Sequence, residues 1–203
     1  SLNPEQKQAW KNAVRNFVLS GAELSGAAKE RFAQIQERTA ELSQKFSEHV
    51  LDATDGFTFH ASTHEMDGVP ADVQQATRAA AQAEGKEGHK LTLHQPVYQP
   101  VMQYANNRVL RARLYKAYVT RASDLGPAEQ DNSALMRELI ALRQEAAQLL
   151  GHASYADVSL VPKMARNPAE VNTFLQDLAV RAKPFAERDM QALRDFAASE
   201  LGL

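Results

Sequence analysis

The sequence predicts a mainly α-helical protein, with a helical domain of long antiparallel helices and a small two-stranded β appendage. Over most of the 203 residues, apolar side chains recur at intervals of three and four, which is the spacing of one helix face. Two short segments instead alternate apolar and polar residues, as a strand with one buried face does. The hydrophobic share of 44% and the charged share of 24% are those of a folded globular protein.

Residues 1–54 are predicted to form a pair of long helices. Asn3 before Pro4 is a typical helix start, because the asparagine side chain accepts a backbone N–H and proline suits the first turn. The second helix is expected from about residue 25 to residue 51. Its stripe alternates steps of four and three, which indicates a helix that packs lengthwise on another. The positions of this stripe are Ala28, Phe32, Ile35, Thr39, Leu42, Phe46 and Val50.

Residues 55–95 are predicted to form a strand–helix–strand appendage. The alternating segments 56–61 and 90–94 are the expected strands. Between them, an alanine-rich segment is expected to be helical from Pro70 and to end before Gly85. Two strands alone are marginally stable in water, so these strands need each other or further chain as partners.

Residues 96–203 are predicted to form a helical bundle. Pro96 and Pro100 are expected to break the chain before a short helical turn at 101–104. Pro184 is expected to kink the last helix, because a proline inside a helix removes one backbone hydrogen bond. The expected helices of this segment cover about residues 106–123 and begin near residues 131, 154 and 167.

Composition excludes several classes of protein. The net charge of −2 argues against a nucleic-acid-binding surface, which would be basic. No apolar run approaches the roughly 20 residues of a membrane helix, so no membrane partner is expected. The absence of cysteine excludes disulfides, thiolate metal sites and a cysteine nucleophile, and it fits a reducing compartment. The chain begins with Ser1 rather than Met, so we expect that this is not the natural N-terminus.

Two histidines have the spacing of a metal site. His60 and His64 are four residues apart, a spacing at which two imidazoles on a helix can bind one metal ion. A zinc peptidase helix also needs glutamate directly after the first histidine, where this chain has Ala61. The segment is also predicted to be the end of a strand. The alternative is that both histidines are exposed polar residues of a loop.

Tyrosine and arginine side chains provide the candidates for substrate binding. We select Tyr98, Tyr104 and Arg121 as candidates for lining a substrate channel. The helix expected near residue 106 carries five basic residues, which form either a patch for a peptide carboxylate or a solvated helix face. Tyrosines at helical spacing also commonly bury the ring and satisfy the hydroxyl at the rim of a core. No nucleophile elbow or phosphate-binding loop occurs, and no residue is assigned as catalytic.

Five motifs occur in a specific order along the chain. They are Val50-Leu-Asp-Ala-Thr54, Pro96-x-Tyr98-x-Pro100-Val-Met102-x-Tyr104, Leu114-Tyr115-x-Ala117-Tyr118-x-Thr120-Arg-Ala-Ser123, Asp131-Asn-Ser133 and Lys163-Met164-Ala165. In these motifs and their order, the chain resembles, over essentially its whole length, the thimet-oligopeptidase and neurolysin family of zinc metallopeptidases.

The resemblance implies a cytoplasmic helical enzyme with two lobes and a deep channel that admits short peptides. It implies one zinc ion, held by a His-Glu-x-x-His helix and a later glutamate, in chain that follows the region seen here. None of those zinc-binding residues corresponds to a residue of this chain. We therefore expect a channel-wall fragment that binds no zinc, is inactive alone and self-associates through apolar surface that the rest of the enzyme would cover. The alternative is a free-standing helical interaction module without enzymatic function.

Overall fold

The structure is a computed structural model that describes residues 2–202. Helices dominate this part of the chain, and its two strands form one small sheet, which confirms the predicted fold class. The elements are α1 (Pro4–Leu19), α2 (Gly26–Asp55), β1 (Phe59–Ala61), α3 (Ala71–Ala83), β2 (His89–Leu91), α4 (Gln95–Tyr104), α5 (Arg108–Val119), α6 (Ser133–Leu149), α7 (Tyr155–Leu160) and α8 (Pro168–Glu200), with 3-10 turns at His64–Met66 and Ala128–Gln130.

The chain divides into two compact units. Unit 1 contains the residues up to Gln34 and those from Arg143 onward, and unit 2 contains Ile35–Leu142. The predicted division of the chain into segments 1–54, 55–95 and 96–203 stays a prediction.

In unit 1, the helix starts predicted from asparagine and proline are present. The backbone N–H of Gln6 donates to Asn3 Oδ1 at 2.8 Å, and the Gln6 side chain accepts the Asn3 N–H at 3.0 Å. The same kind of cap begins α8, where the backbone N–H of Glu170 donates to Asn167 Oδ1 at 2.8 Å. Each cap satisfies N–H groups that have no partner inside the helix.

Unit 2 contains the sheet and its core. β1 and β2 pair antiparallel, with Phe59 opposite Leu91 and Ala61 opposite His89. Helix α3 packs against β2 and α4, and α4 packs against α5. The two predicted strands are therefore each other's partners, and helices cover one face of the sheet. The buried residues of this core are Ala61, Met66, Val69, Leu91, Leu93, Val101, Ala105, Leu110 and Leu114.

Helices α2 and α6 run antiparallel in unit 2. Arg38 of α2 binds Glu138 of α6 through two hydrogen bonds of 2.6 and 3.0 Å. Further along α2, His49 Nδ1 lies 2.8 Å from the Oδ1 of Asn132, which precedes α6. Going along α2 from Arg38 to His49, the contact on the other helix moves back from Glu138 to Asn132, so the two helices run in opposite directions. The bidentate pairing between Arg38 and Glu138 lowers the pKa of Glu138.

The predicted chain break at Pro96 and Pro100 is wrong, because both prolines lie inside the continuous helix α4. Pro96 occupies the first turn, where an N–H would have no helical partner in any case. Pro100 removes one internal hydrogen bond, but the following turn continues, with the Ala105 N–H donating to the Val101 carbonyl at 3.0 Å. Val101 and Ala105 are both buried in the core, so packing offsets the lost bond.

His89 is a fully buried histidine of β2. Its Nδ1 and Thr77 Oγ1 form a hydrogen bond of 3.0 Å. The Thr77 hydroxyl also lies 2.8 Å from the Val73 carbonyl, so this hydroxyl links β2 to α3. His89 Nε2 has no hydrogen-bond partner in the part of the chain that the structure describes.

Acidification is expected to destabilise unit 2 through His89. Burial lowers the pKa of His89 below its ordinary value of 6.5, and the charge of Arg78 lowers it further. Below about pH 6.5 the unfolded chain therefore binds a proton that the folded chain does not bind. The free energy of unfolding should then fall by at most about 1.4 kcal/mol per pH unit from this group.

Urea unfolding of the parent and of His89→Gln at about pH 7.5 and about pH 5.5 measures this effect, since carboxyl groups titrate mainly near pH 4. The variant should lose less stability between the two pH values than the parent. Equal losses in both proteins would show that His89 does not carry the effect.

Candidate functional site

Two of the three channel candidates meet in one aromatic stack. The ring of Tyr98 stacks on that of Tyr118, with centroids 4.2 Å apart and planes 14° from parallel. The guanidinium carbon of Arg121 lies 3.8 Å from the centroid of the same Tyr118 ring. Two groups this close to one ring cannot share a face, so Tyr118 lies between Tyr98 and Arg121. A guanidinium over a tyrosine face is held by cation–π attraction.

Hydrogen bonds hold the Arg121 side chain in place. Its Nε donates to the Tyr118 carbonyl at 2.9 Å, and its Nη1 donates to Thr54 Oγ1 at 2.7 Å. Thr54 is in the last turn of α2, where its own hydroxyl donates to the Val50 carbonyl at 2.7 Å. Within residues 2–202, no carboxylate forms an ion pair with Arg121. The guanidinium is thus fixed, while its charge has no anionic partner there.

The aromatic part of the stack is also held. Gln95 Nε2 donates to the Tyr118 hydroxyl at 2.9 Å. Burial raises the pKa of Tyr98, and the nearby Tyr118 raises it further. Tyr98 is therefore neutral at physiological pH, and the stacked rings support the guanidinium.

The backbone after Arg121 adopts a strained conformation. Ala122 has φ of +49°, and it is the single non-glycine residue with positive φ between residues 2 and 202. Such a conformation costs a residue with a Cβ about 1–2 kcal/mol. The Ala122 carbonyl accepts the N–H of Asn132 at 3.1 Å, and the buried Asn132 side chain donates to the Phe46 carbonyl at 3.2 Å. Residues distant in sequence therefore hold the turn that positions Arg121.

A cavity of about 320 Å³ opens beside Arg121. It lies wholly within unit 2, and its walls come from the end of α2, the segment before α4, and the turn after α5. The walls combine apolar side chains with one cation and one carboxylate. The lining includes Asp52, Phe57, Leu93, Thr120, Arg121 and Pro127.

The third candidate, Tyr104, is not part of this stack. It is the last residue of α4 and its side chain is 54% exposed. The structure therefore brings Tyr98 and Arg121 together through Tyr118 and leaves Tyr104 on the surface.

The basic residues of α5 serve several structural contacts. Arg113 lies over the Phe59 ring with its guanidinium carbon 4.3 Å from the centroid, and Arg111 donates to the Ala105 carbonyl. These contacts bind α5 to the sheet and to the end of α4. Only Arg121, just beyond the helix, lines the cavity described above.

The two histidines of the possible metal site have separate partners. His60 Nε2 in β1 lies 3.4 Å from Glu84 Oε2, and His64 Nδ1 lies 2.9 Å from Asp67 Oδ2. Among the described residues, no three His, Asp or Glu side chains are grouped as they would be around a metal ion. A metal role for His60 and His64 stays a prediction, and zinc titration of His60→Ala against the parent would test it.

Sequence reasoning missed two residues that hold Arg121. Thr54 binds Arg121 across 67 positions of sequence, and the N–H of Asn132, ten positions after Ala122 (132 − 122), holds the turn. No local pattern identifies such partners. Tyr118 could have been selected, because it lies three residues before Arg121 at helical spacing.

Comparisons with known proteins agree with the motifs. A family model described as peptidase family M3 matches residues 101–203. The chain is 47% identical to oligopeptidase A of Salmonella typhimurium and of Escherichia coli, in alignments that cover 100% of this chain and 30% of each relative. It is 43% identical to oligopeptidase A of Haemophilus influenzae, over 98% of this chain and 30% of that relative. The chain spans about 30% of the length of these relatives.

In residues 2–202, no helix is both long and apolar enough to cross a membrane.

The family model and the relatives confirm the family that the tyrosine and proline motifs predicted. The relatives are longer than this chain, which aligns with about 30% of their length. This chain belongs to peptidase family M3.

Proposed function

We propose that this chain is part of a longer cytoplasmic zinc oligopeptidase, in which it forms a wall of the channel that receives short peptides. The observation that carries this proposal is the 47% identity to two bacterial oligopeptidases A over the whole chain, at 30% of their length. Short peptides are the proposed substrates. The net charge of −2 supports neither a nucleic-acid nor an anionic-membrane partner.

The residues of this chain do not fit a catalytic zinc site. The sequence has no His-Glu-x-x-His motif, and the described residues hold no cluster of three potential ligands. We therefore place zinc binding and bond cleavage outside these 203 residues, and we assign no chemical step to them. The 203-residue chain alone is expected to cleave no peptide.

For the channel wall, we propose Tyr98, Tyr104 and Arg121 as contributing residues. Arg121 supports the proposal most directly, because it lines a cavity and has no carboxylate partner within residues 2–202. Tyr98 contributes indirectly by stacking on the ring that supports Arg121. Tyr104 contributes an exposed aromatic surface.

Peptide cleavage by the longer protein tests the proposed function. The longer protein should cleave a fluorogenic short peptide and lose this activity on treatment with a chelator, and added zinc should restore it. The 203-residue chain should cleave nothing in the same assay. Chelator-sensitive cleavage by the short chain would contradict the placement of the zinc site, and inactivity of the longer protein would contradict the function itself.

The alternative function is a helical interaction module, which the exposed apolar residues of α8 favour. Reading the gene beyond the codon for Leu203 separates the two, since an interaction module needs no His-Glu-x-x-His motif downstream.

We also propose that the isolated 203-residue chain self-associates through the exposed apolar surface of α8. Sedimentation at increasing concentration tests this, and a monomer throughout would contradict it. The exposed apolar residues of α8 include Phe174, Leu178, Val180, Phe185, Leu193 and Phe196.

A further inference from the structure

We propose that Arg121 and the cavity beside it form a subsite that binds the C-terminal carboxylate of a short peptide whose last side chain is apolar. This inference rests on the proposed function as an oligopeptidase, and it adds a ligand group and an orientation for the peptide. Three properties of the cavity carry it: a fixed cation, an apolar wall and one opposing carboxylate.

The fixed cation is the guanidinium of Arg121. Thr54 and the Tyr118 carbonyl use its Nη1 and Nε, and the Tyr118 ring covers one face. Its Nη2 donates to no acceptor among residues 2–202 and is left for a ligand. Because the side chain is already ordered, a ligand carboxylate would bind without the entropy cost of immobilising a free arginine. Charge-assisted hydrogen bonds to a carboxylate are the contacts that such a group makes best.

The strained turn supports the same assignment. Ala122, directly after Arg121, also lines the cavity and has φ of +49°. Backbone strain of this kind persists only where the surroundings hold it, and it concentrates at binding and catalytic sites. Here a hydrogen bond from the Asn132 N–H holds the turn. The strained residue is therefore adjacent to the arginine that we assign to the subsite.

The apolar wall sets the preference for the last side chain. Phe57, Leu93 and Pro127 line the cavity together with alanine and glycine residues. The volume of about 320 Å³ is at the lower end of the roughly 300–1,000 Å³ found for small-molecule sites. The cavity therefore suits the end of a peptide rather than a large ligand. Burying an apolar C-terminal side chain against this wall removes its apolar surface from water, which favours binding.

The opposing carboxylate restricts the ligand to one negative charge. Asp52 of α2 lines the same cavity, is exposed, and forms no ion pair with Arg121 in the described part of the chain. A ligand with several negative charges, such as a polyphosphate, would be repelled by Asp52. A single carboxylate on an otherwise neutral peptide end meets less of this repulsion than a ligand with several negative charges.

Binding rather than cleavage tests the subsite, so that its outcome is separate from that of the proposed function. Chelator is added to the longer protein, and fluorescence anisotropy then reports the Kd of an N-terminally labelled tetrapeptide ending in leucine. The free acid should bind the parent roughly tenfold or more tightly than the C-terminal amide, since hydrogen bonds to charged groups are worth about 1.5–3 kcal/mol. Arg121→Met should reduce this ratio to about one.

Matched variants and a third peptide complete the test. Arg113→Met is the matched control. Arg113 of α5 lies over the Phe59 ring and does not line the cavity. This variant should therefore keep the parent's ratio of acid to amide affinity. Asp52→Asn alters an exposed residue, so it should fold even if Arg121→Met does not, and it should raise affinity for the free acid. Equal binding of acid and amide to the parent would overturn the proposal. A third peptide ends in glutamate and is amidated, so that its carboxylate is on the side chain. If it bound as tightly as the free acid ending in leucine, the proposal would also be overturned, because the site would then not select the C-terminal carboxylate.

Discussion

Replacing Gly88 with alanine is expected to destabilise unit 2 by about 3 kcal/mol. Gly88 has φ of +80°, a left-handed conformation that a residue with a Cβ adopts at a cost of about 1–2 kcal/mol. The added Cβ would also overlap the carbonyl oxygen of Ala61, which belongs to the backbone of β1. Ala61 pairs with His89, the residue after Gly88, so the oxygen cannot move away without separating the strands.

Gly85→Ala is the matched control for this prediction. Gly85 also has a positive φ, of +69°, but no atom lies within 4 Å of the position that its Cβ would take. Gly85→Ala should therefore cost only the conformational strain, about 1 kcal/mol. Urea unfolding of the 203-residue chain gives both values from the shift in midpoint. If the two variants were equally stable, the contact with Ala61 would not limit residue 88.

Truncating Leu114 to alanine is expected to cost about 3 kcal/mol, within the range of 2–5 kcal/mol measured for buried leucines. Leu114 of α5 is fully buried in the core of unit 2. Alanine would remove apolar contacts and leave a cavity that the surrounding helices and sheet fill only in part. This loss is a large share of the 5–15 kcal/mol that stabilises a typical protein.

Val109→Ala on the same helix provides the comparison. Val109 is 72% exposed, so its truncation should change the free energy of unfolding by less than about 0.5 kcal/mol. Thermal and urea unfolding of both variants would measure the difference. A similar cost for both would mean that α5 does not contribute Leu114 to a packed core. An unchanged urea m-value in both variants would confirm that stability alone has changed.

Local patterns predicted the helices and strands well. The caps at Asn3 and Asn167 act between residues three positions apart, so the sequence contains both partners of each hydrogen bond. The alternation that predicted two strands is likewise a property of adjacent residues. The error at α4 has the opposite origin. Pro100 weakens a helix locally, and the burial of Val101 and Ala105 in the core outweighs that loss.

The candidate site was predicted only in part. Tyr98 and Arg121 were selected from their residue types and positions in the motifs, and the structure places both against Tyr118. The sequence could not show that Arg121 lines a cavity, nor that Tyr104 lies apart from it. It also could not show that Thr54 holds the guanidinium, because their contact joins residues 67 positions apart.

Motifs and periodicities within short stretches of chain were enough to predict the family and most of the helices and strands. The side chains around Arg121 and the left-handed conformation of Ala122 depend instead on contacts between separate elements. The difference lies in the range over which the interactions act. Capping and periodicity act over a few residues, whereas the cavity depends on packing and hydrogen bonds between α2, the start of α6 and the end of α5, which only the folded chain brings together.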